Sequence, residues 1–182
     1  QVDALDAALA GSRARVGALI EADIGMHRCG TDSPEETVAL ARRIAKSRAA
    51  WRGIMGYEGH AVLVPDAGKR KELAETAGAA LRAHTLALRA SGLAPEIVSA
   101  GGTGTFELTG SADFVTEIQA GSYVFMDGRY RDVRTDFETA LTLHTTVLRR
   151  RGRLVITDAG VKSLSSDFGM PRGADLPLGV VG

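Results

Sequence analysis

The 182-residue chain has one cysteine, few aromatic residues and no excess of charge of either sign. A single cysteine excludes a framework of disulfide bonds within the chain and favours a reducing compartment, so we expect a cytoplasmic protein. The 22 basic and 22 acidic residues cancel, which gives no electrostatic basis for binding nucleic acid or an anionic membrane. No run approaches the roughly 18 to 20 continuous apolar residues of a membrane-spanning helix.

The composition is that of a globular protein, with 45% hydrophobic and 24% charged residues. Because only 5% of the residues are aromatic, we expect a core built mainly from Ala, Val, Leu and Ile. The chain starts at Gln1, without a methionine and within a helical pattern, and it ends on the strand-like run 178–182. We therefore expect an internal segment of a longer protein.

Strand patterns alternate with helical patterns over most of the chain. The clearest helix start is Ser33, expected as the N-cap, followed by Pro34 in the first turn and Glu36 at the third position. This alternation indicates βα units, an α/β fold class and a parallel sheet. The predicted helices are 3–13, 34–49 and 65–89, and the predicted strands are 16–24, 51–60, 95–99 and 115–119.

The pattern changes after residue 131. Residues 139–148 alternate imperfectly between polar and apolar, 149–153 form a charged turn, and 154–157 are typical of a strand. This pattern predicts the start of an antiparallel β-domain. We expect residues 1–135 to form one domain and residues 136–182 the beginning of the second.

Two turns rich in small residues follow the third and fourth predicted strands. The first is 99–106 (SAGGTGTF), and the second is Ala120-Gly121-Ser122. Glycine lets backbone N–H groups approach an anion closely, and a phosphate is the usual anion in such a turn. In a (β/α)₈ barrel, the phosphate site commonly lies at the carboxyl ends of the last two strands. The two turns therefore predict a phosphate site.

The carboxyl ends of the first two predicted strands also carry polar side chains. Arg28 follows the first strand, and Tyr57 and His60 lie at the end of the second. In a barrel these residues face the same cavity as Thr103 and Ser122 of the two turns. His60 has two interpretations, since a histidine at a strand end can be a catalytic residue or a satisfied structural one.

Four segments in this order resemble the D-threonine aldolase and D-serine dehydratase-like family of pyridoxal-phosphate enzymes. The segments are 24–30 (IGMHRCG), 56–60 (GYEGH), 99–106 and 116–127 (TEIQAGSYVFMD). The family shares the fold-type III barrel of alanine racemase. The resemblance implies that residues 1–135 are the C-terminal half of this barrel and that the protein is a homodimer.

The resemblance also implies a set of cofactor contacts. Thr103, Gly121 and Ser122 match the positions that hold the cofactor phosphate, and Tyr130 matches a tyrosine that reaches the cofactor. Arg28 matches an arginine near the phenolic oxygen, and Tyr57 a tyrosine near the pyridine ring. Gln119 stands where the racemases place a ring-facing arginine, and a neutral amide there would change the electronics of the ring nitrogen.

Two family features do not match any residue of this chain. The cofactor-linking (Schiff-base) lysine belongs to an early barrel strand, whereas Lys46, Lys69 and Lys71 lie on predicted helices and Lys162 in the β-domain. The divalent metal, Mn, Mg or Zn, is bound in the family by a C-terminal His-x-Asp or His-x-Cys pair. His27 and Cys29 have that spacing but lie within the arginine segment. We expect the lysine upstream of Gln1 and the metal ligands beyond Gly182.

The implied activity is that of a pyridoxal-phosphate-dependent lyase acting on small D-configured β-hydroxy amino acids. Retro-aldol cleavage to glycine and an aldehyde is favoured, with His60 as the candidate catalytic residue of the segment. The segment alone is expected to be inactive. A dehydratase of D-serine or D-threo-3-hydroxyaspartate, a racemase-like protein, and a non-catalytic cofactor- or phosphate-binding barrel remain alternatives.

Overall fold

The computed structural model describes residues 1–160, 162–167 and 169–170. The chain divides into two compact units, Gln1–Gly121 and Ser122–Gly182. The strand-like run predicted at 178–182 lies outside the described residues. The domain boundary expected between residues 135 and 136 stays a prediction.

The four strands of the first unit form one parallel sheet in the order β1-β2-β3-β4. Each strand lies beside its predecessor in the chain, as in a (β/α)₈ barrel, whereas an open doubly wound sheet reverses its strand order. The parallel α/β architecture predicted from the sequence is confirmed. In chain order the elements are α1 (Val2–Leu9), β1 (Gly17–Glu21), α2 (Pro34–Ala45), β2 (Ala50–Met55), α3 (Ala67–Ala90), β3 (Ile97–Ala100), α4 (Phe106–Gly110) and β4 (Glu117–Ile118).

Helix α2 begins where the capping residues predict. The Glu36 N–H donates to Ser33 Oγ at 3.2 Å, and Glu36 Oε2 in turn accepts from the Asp32 N–H at 2.9 Å. Pro34 occupies the first turn, where its missing N–H removes no helical hydrogen bond. The start of the helix is therefore confirmed, while its end, Ala45, comes earlier than the predicted residue 49.

Strand β2 is shorter than the sequence pattern predicted. It ends at Met55 rather than at residue 60. The Gly56 N–H still donates to the Ser99 carbonyl at 3.0 Å, but the chain then turns, and the Ala61 N–H donates to the Glu58 carbonyl at 2.9 Å. Residues 56–60 therefore form a loop at the carboxyl end of the strand.

The core of the first unit is almost entirely aliphatic, as the low aromatic content predicted. Ile54, Leu88 and Val98 are completely buried. Phe114 is the aromatic residue of this core. Leu81 and Ala77 of α3 pack in the same cluster, so the long helix is held against the sheet by apolar contact.

The second unit contains a β-hairpin and two short 3₁₀ helices. Strands β5 (Val147–Arg151) and β6 (Leu154–Thr157) pair antiparallel, and Gly152 in the turn between them has a φ of 57°. Strand β6 agrees with the strand predicted at 154–157, but the charged turn predicted at 149–153 is wrong in extent, because residues 149–151 belong to β5; residues 139–146 form no strand. The 3₁₀ helices are Ser122–Val124 and Tyr130–Asp132.

Candidate active site

The carboxyl ends of β2, β3 and β4 are in direct contact. The ring of Tyr57, beyond β2, lies against Gly102, beyond β3: a Cβ at Gly102 would be 3.4 Å from the tyrosine hydroxyl. The Gln119 N–H, beyond β4, donates to the Ala100 and Gly101 carbonyls at 3.0 and 3.1 Å. Parallel strands place these ends on one edge of the sheet, where α/β barrels carry their active sites.

The loop after β1 is organised by Asp23. Its Oδ1 accepts from the Gly25 N–H at 2.9 Å and from the His27 N–H at 3.0 Å. These hydrogen bonds, above all that from Gly25, hold the pKa of Asp23 below its ordinary value because they stabilise the carboxylate. The loop presents Arg28, whose side chain is 57% exposed and lies 3.6 Å from Glu21 Oε1. Arg28 is therefore available at the edge predicted to hold the cofactor.

His60 connects the second loop to the first. Its ring lies against Gly25, where a Cβ would be 2.9 Å from the His60 Cε1 atom. His60 is half-buried, and its Nδ1 atom is buried without a hydrogen-bond partner among the described residues. A buried polar atom without a partner is costly, so it marks a place where a bound molecule or water would be stabilised.

Thr103 lies in the glycine-rich turn and is 1% exposed. The neighbouring glycines are required by the protein itself: a Cβ at Gly104 would be 1.8 Å from the Val62 carbonyl oxygen, and one at Gly102 would be 2.7 Å from Val62 Cγ1. The tight packing of this turn on residue 62 is therefore a cause of its glycine content that the sequence did not reveal.

Gln119 and Gly121 lie beyond β4 and differ in their surroundings. The Gln119 Nε2 atom is buried and has no hydrogen-bond partner in the described part of the chain. Gly121 is exposed, and no heavy atom lies within 4 Å of the position that a Cβ would take. The backbone at Gly121 is thus accessible to a ligand.

Ser122 and Tyr130 belong to the second unit. Ser122 is exposed and begins a 3₁₀ helix, whereas Tyr130 is 7% exposed. Asp127 fixes the backbone before the tyrosine, because its Oδ1 accepts from the Arg129 N–H at 2.8 Å and the Tyr130 N–H at 2.9 Å. The roles of Ser122 and Tyr130 stay predictions.

Glu58 is a residue of this edge to which the sequence analysis gave no role. It is 1% exposed and accepts three hydrogen bonds, from the Gly101 N–H (3.2 Å), Thr105 Oγ1 (2.8 Å) and Thr109 Oγ1 (2.6 Å). These partners lie 43 to 51 residues further along the chain. The sequence signal was weak, a single carboxylate in the 56–60 segment (GYEGH) beside the tyrosine and histidine already considered.

The positions of the lysines and of the candidate metal ligands are also defined. Lys46 caps α2, and Lys69 and Lys71 lie on α3, where each forms an ion pair with a glutamate of the same helix. Among the residues that the structure describes, no group of three or more His, Cys, Asp or Glu side chains is arranged to hold a metal ion.

In the described part of the chain, no helix combines the length and apolarity needed to cross a membrane.

Comparison with known proteins defines the class of this fold and site. Residues 1–128 match the family described as "Alanine racemase, N-terminal domain". The chain belongs to this family of fold-type III pyridoxal-phosphate proteins, and its sheet is part of the family's barrel.

The relatives with curated descriptions include aldolases and a dehydratase, the D-threo-3-hydroxyaspartate dehydratase of Delftia sp. (strain HT23), to which the chain is 31% identical over 84% of its length and 42% of the relative. The chain is 35% identical to the 3-hydroxy-D-aspartate aldolase of Paracoccus denitrificans (strain Pd 1222) over 86% of this chain and 43% of the relative. It is 33% identical to the D-threonine aldolase of an Arthrobacter species over 87% of this chain and 43% of the relative. The chain thus spans less than half the length of these relatives.

The fold is similar to that of an aldolase whose structure has been solved. The crystal structure of D-threonine aldolase from Filomicrobium marinum matches 97% of this chain and 50% of its own, with a TM-score of 0.90 and 32% sequence identity. The sequence-based assignment to the D-threonine aldolase-like family is therefore confirmed.

The chemical groups at the strand ends are of the types that could bind pyridoxal phosphate. Among the described residues, the buried Nδ1 of His60 and the buried Nε2 of Gln119 have no hydrogen-bond partner, and polar groups of a cofactor or substrate could pair with them. The open backbone at Gly121 suits a phosphate, which is commonly bound by main-chain N–H groups. Arg28 adds the one exposed cation of the loop after β1.

Proposed function

We propose that the chain is the cofactor-phosphate half of the barrel of a pyridoxal-phosphate-dependent lyase that acts on small D-configured β-hydroxy amino acids. The observation that carries this proposal is the contact of the 99–106 turn, at one sheet edge, with Tyr57 and with Gln119, which precedes the second small-residue turn. The family membership and the aldolase relatives support the same conclusion.

The resemblance to the family gives each predicted site residue a role. On this resemblance, Thr103, Gly121 and Ser122 would hold the phosphate, and Tyr130 would contact the cofactor. Tyr57 would lie near the pyridine ring, Arg28 near the phenolic oxygen and Gln119 near the ring nitrogen. A neutral amide can donate a hydrogen bond to that nitrogen but cannot keep it protonated as a carboxylate would.

The favoured reaction is retro-aldol cleavage. When bound, pyridoxal phosphate accepts the electron pair released as a bond to the substrate Cα breaks. A base must remove the proton of the β-hydroxyl, after which the Cα–Cβ bond breaks and releases the aldehyde; addition of a proton to Cα then gives glycine. His60 is the candidate in this chain to hold or move a proton, because its Nδ1 is buried without a partner in the described residues.

The resemblance to the family supports three further parts of the proposal. The lysine that links the cofactor lies outside this chain, upstream of Gln1. A divalent metal, Mn, Mg or Zn, is bound by residues beyond Gly182, and such an ion would lower the pKa of the β-hydroxyl. We also propose that the protein is a cytoplasmic homodimer.

The reaction is tested with the full-length protein and D-threonine. We expect formation of acetaldehyde and glycine, loss of this activity with a chelator, and its return with Mn²⁺. L-Threonine serves as the matched control and should give no aldehyde. Formation of a 2-oxo acid and ammonia instead would identify a dehydratase, while inversion of D-alanine without cleavage would identify a racemase-like protein.

A further inference from the structure

The Glu58 carboxylate holds the backbone on both sides of Thr103. Its Oε2 accepts from the Gly101 N–H at 3.2 Å, two residues before Thr103. Its Oε1 accepts from Thr105 Oγ1 at 2.8 Å, two residues after it. Thr105 Oγ1 also accepts from the Gly102 N–H at 3.1 Å, so the hydrogen bonds of one carboxylate extend over most of the turn.

A third hydrogen bond connects Glu58 to the helix that follows the turn. Thr109 Oγ1, on α4, donates to Glu58 Oε1 at 2.6 Å. Glu58 therefore ties three points, the end of β3, the turn and α4, to the loop that follows β2.

A buried carboxylate stabilises those conformations of its partners in which they donate hydrogen bonds to it. With 1% of Glu58 exposed, water cannot replace a lost donor, and a conformation of the turn that withdraws its N–H and hydroxyl groups leaves the charge unsatisfied. All three partners are neutral donors, so they satisfy the carboxylate without placing a competing cation beside the turn. The turn is thereby held in one conformation before any ligand arrives.

We propose that Glu58 is a positioning residue for phosphate binding: by fixing the 101–105 turn it aims Thr103 at the cofactor phosphate. This inference rests on the proposed cofactor site. Glu58 does not itself contact the phosphate, since its oxygens are occupied by the turn, and it acts through Gly101, Thr105 and Thr109.

The substitutions Glu58→Ala and Glu58→Gln separate positioning from charge. Alanine removes all three acceptors. The glutamine oxygen can accept from the Gly101 N–H while its amide group donates to the two threonine hydroxyls, which can reverse their roles. If Glu58 acts by positioning, glutamine should preserve its effect although the charge is gone.

The measurement compares pyridoxal phosphate with pyridoxal, which has the same ring and aldehyde but no phosphate. Both dissociation constants are obtained by titrating the full-length apoprotein. The ratio of the pyridoxal constant to the pyridoxal phosphate constant isolates the contribution of the phosphate. We expect Glu58→Ala to lower this ratio at least about tenfold and Glu58→Gln to keep it within about threefold of the wild-type ratio. A general loss of structure would weaken both ligands alike.

Two further variants provide the controls. Leu81→Ala removes a core side chain of the same unit and should reduce stability without changing the ratio. Thr109→Val deletes a single donor to Glu58 and should lower the ratio about threefold, which keeps the test informative if Glu58→Ala does not fold.

The outcomes distinguish the inference from the function on which it rests. A wild-type ratio retained in Glu58→Ala and in Thr109→Val overturns the positioning role while leaving the cofactor site intact. A ratio that rises in both Glu58 variants also overturns it, because charge repulsion would then be the dominant effect. A wild-type protein that binds neither ligand, or both equally, overturns the proposed cofactor site and the inference with it.

Discussion

At the scale of single residues, two carboxylates arrange the loops that follow the first two strands. Asp23 gathers the Gly25 and His27 N–H groups of its own loop, within four residues. Glu58 instead gathers donors from a different part of the chain. Local contacts of the first kind follow from sequence, whereas the second kind exists only once β2 and β3 are paired.

The phosphate contacts are tested by the double substitution Thr103→Val and Ser122→Ala. Each removes a hydroxyl that would donate a charge-assisted hydrogen bond, worth about 1.5 to 3 kcal/mol. We expect the dissociation constant of pyridoxal phosphate to rise at least about a hundredfold, and that of pyridoxal to change little. The matched control Thr76→Val with Ser47→Ala removes hydroxyls that are hydrogen-bonded to nearby backbone groups, away from the strand ends. Unchanged affinity in the Thr103 and Ser122 variant would show that the phosphate lies elsewhere.

His84 makes the stability of the first unit depend on pH. It is 4% exposed, and its Nδ1 lies 2.7 Å from Thr37 Oγ1. Burial lowers the pKa of His84 below 6.5, although Glu35 and Glu36 oppose the shift. The unfolded chain then binds a proton at a higher pH than the folded chain does. Stability is therefore full above about pH 6.5 and falls as the pH decreases below it.

This pH dependence is measured by urea unfolding of wild type and His84→Gln between about pH 5 and pH 8. The wild-type free energy of unfolding should decrease below the pKa of the unfolded histidine by at most about 1.4 kcal/mol per pH unit more than that of the variant. Parallel curves for the two proteins would contradict a buried neutral His84.

At the scale of elements, the two small-residue turns contain glycine for different reasons. Alanine at Gly104 would bring its Cβ to 1.8 Å from the Val62 carbonyl oxygen, so backbone must move. We expect Gly104→Ala to destabilise the protein by about 2 kcal/mol or more. Gly121→Ala meets no atom within 4 Å and should leave the free energy of unfolding unchanged while weakening pyridoxal phosphate binding. A Gly121→Ala variant that is destabilised but binds pyridoxal phosphate as wild type does would contradict the assignment of the second turn to the ligand.

The elements themselves were predictable where the signals were local. The start of α2 followed from Ser33, Pro34 and Glu36, and the short α4 agrees with the limited number of residues between β3 and β4. The end of β2 was not predictable, because residues 56–60 remain compatible with an extended strand until the turn at Glu58 and Ala61 is seen. That turn is fixed by partners beyond β3.

The sequence allowed prediction of which residues lie at the strand ends, but not of the hydrogen bonds of Glu58 that connect them. The order of the motifs placed Arg28, Tyr57, Thr103 and Gln119 at one sheet edge, and the contacts of Tyr57 with Gly102 and of Gln119 with Gly101 agree with that arrangement. Glu58 was missed because a lone glutamate in a sequence is more often a solvated surface residue. Burial and distant donors decide its role, and neither is visible in the local pattern.

At the scale of the whole molecule, the chain spans 43% of the length of the curated aldolases to which it is similar. In the proposed site, the chain would contribute the phosphate turns, the arginine and the aromatic contacts, whereas the linking lysine and the metal ligands are proposed to lie outside it. The proposal therefore assigns phosphate binding to this chain, and the covalent link to the cofactor and the metal site to other segments.

The central claim is that the strand ends of the first unit form a pyridoxal-phosphate site, and the visible absorbance of the full-length protein tests it most directly. We predict a visible band from the bound cofactor that appears on titration with pyridoxal phosphate and disappears on treatment with borohydride, which fixes the cofactor to the chain. A protein that stays colourless at saturating pyridoxal phosphate, and that carries no cofactor after borohydride treatment, would contradict the claim.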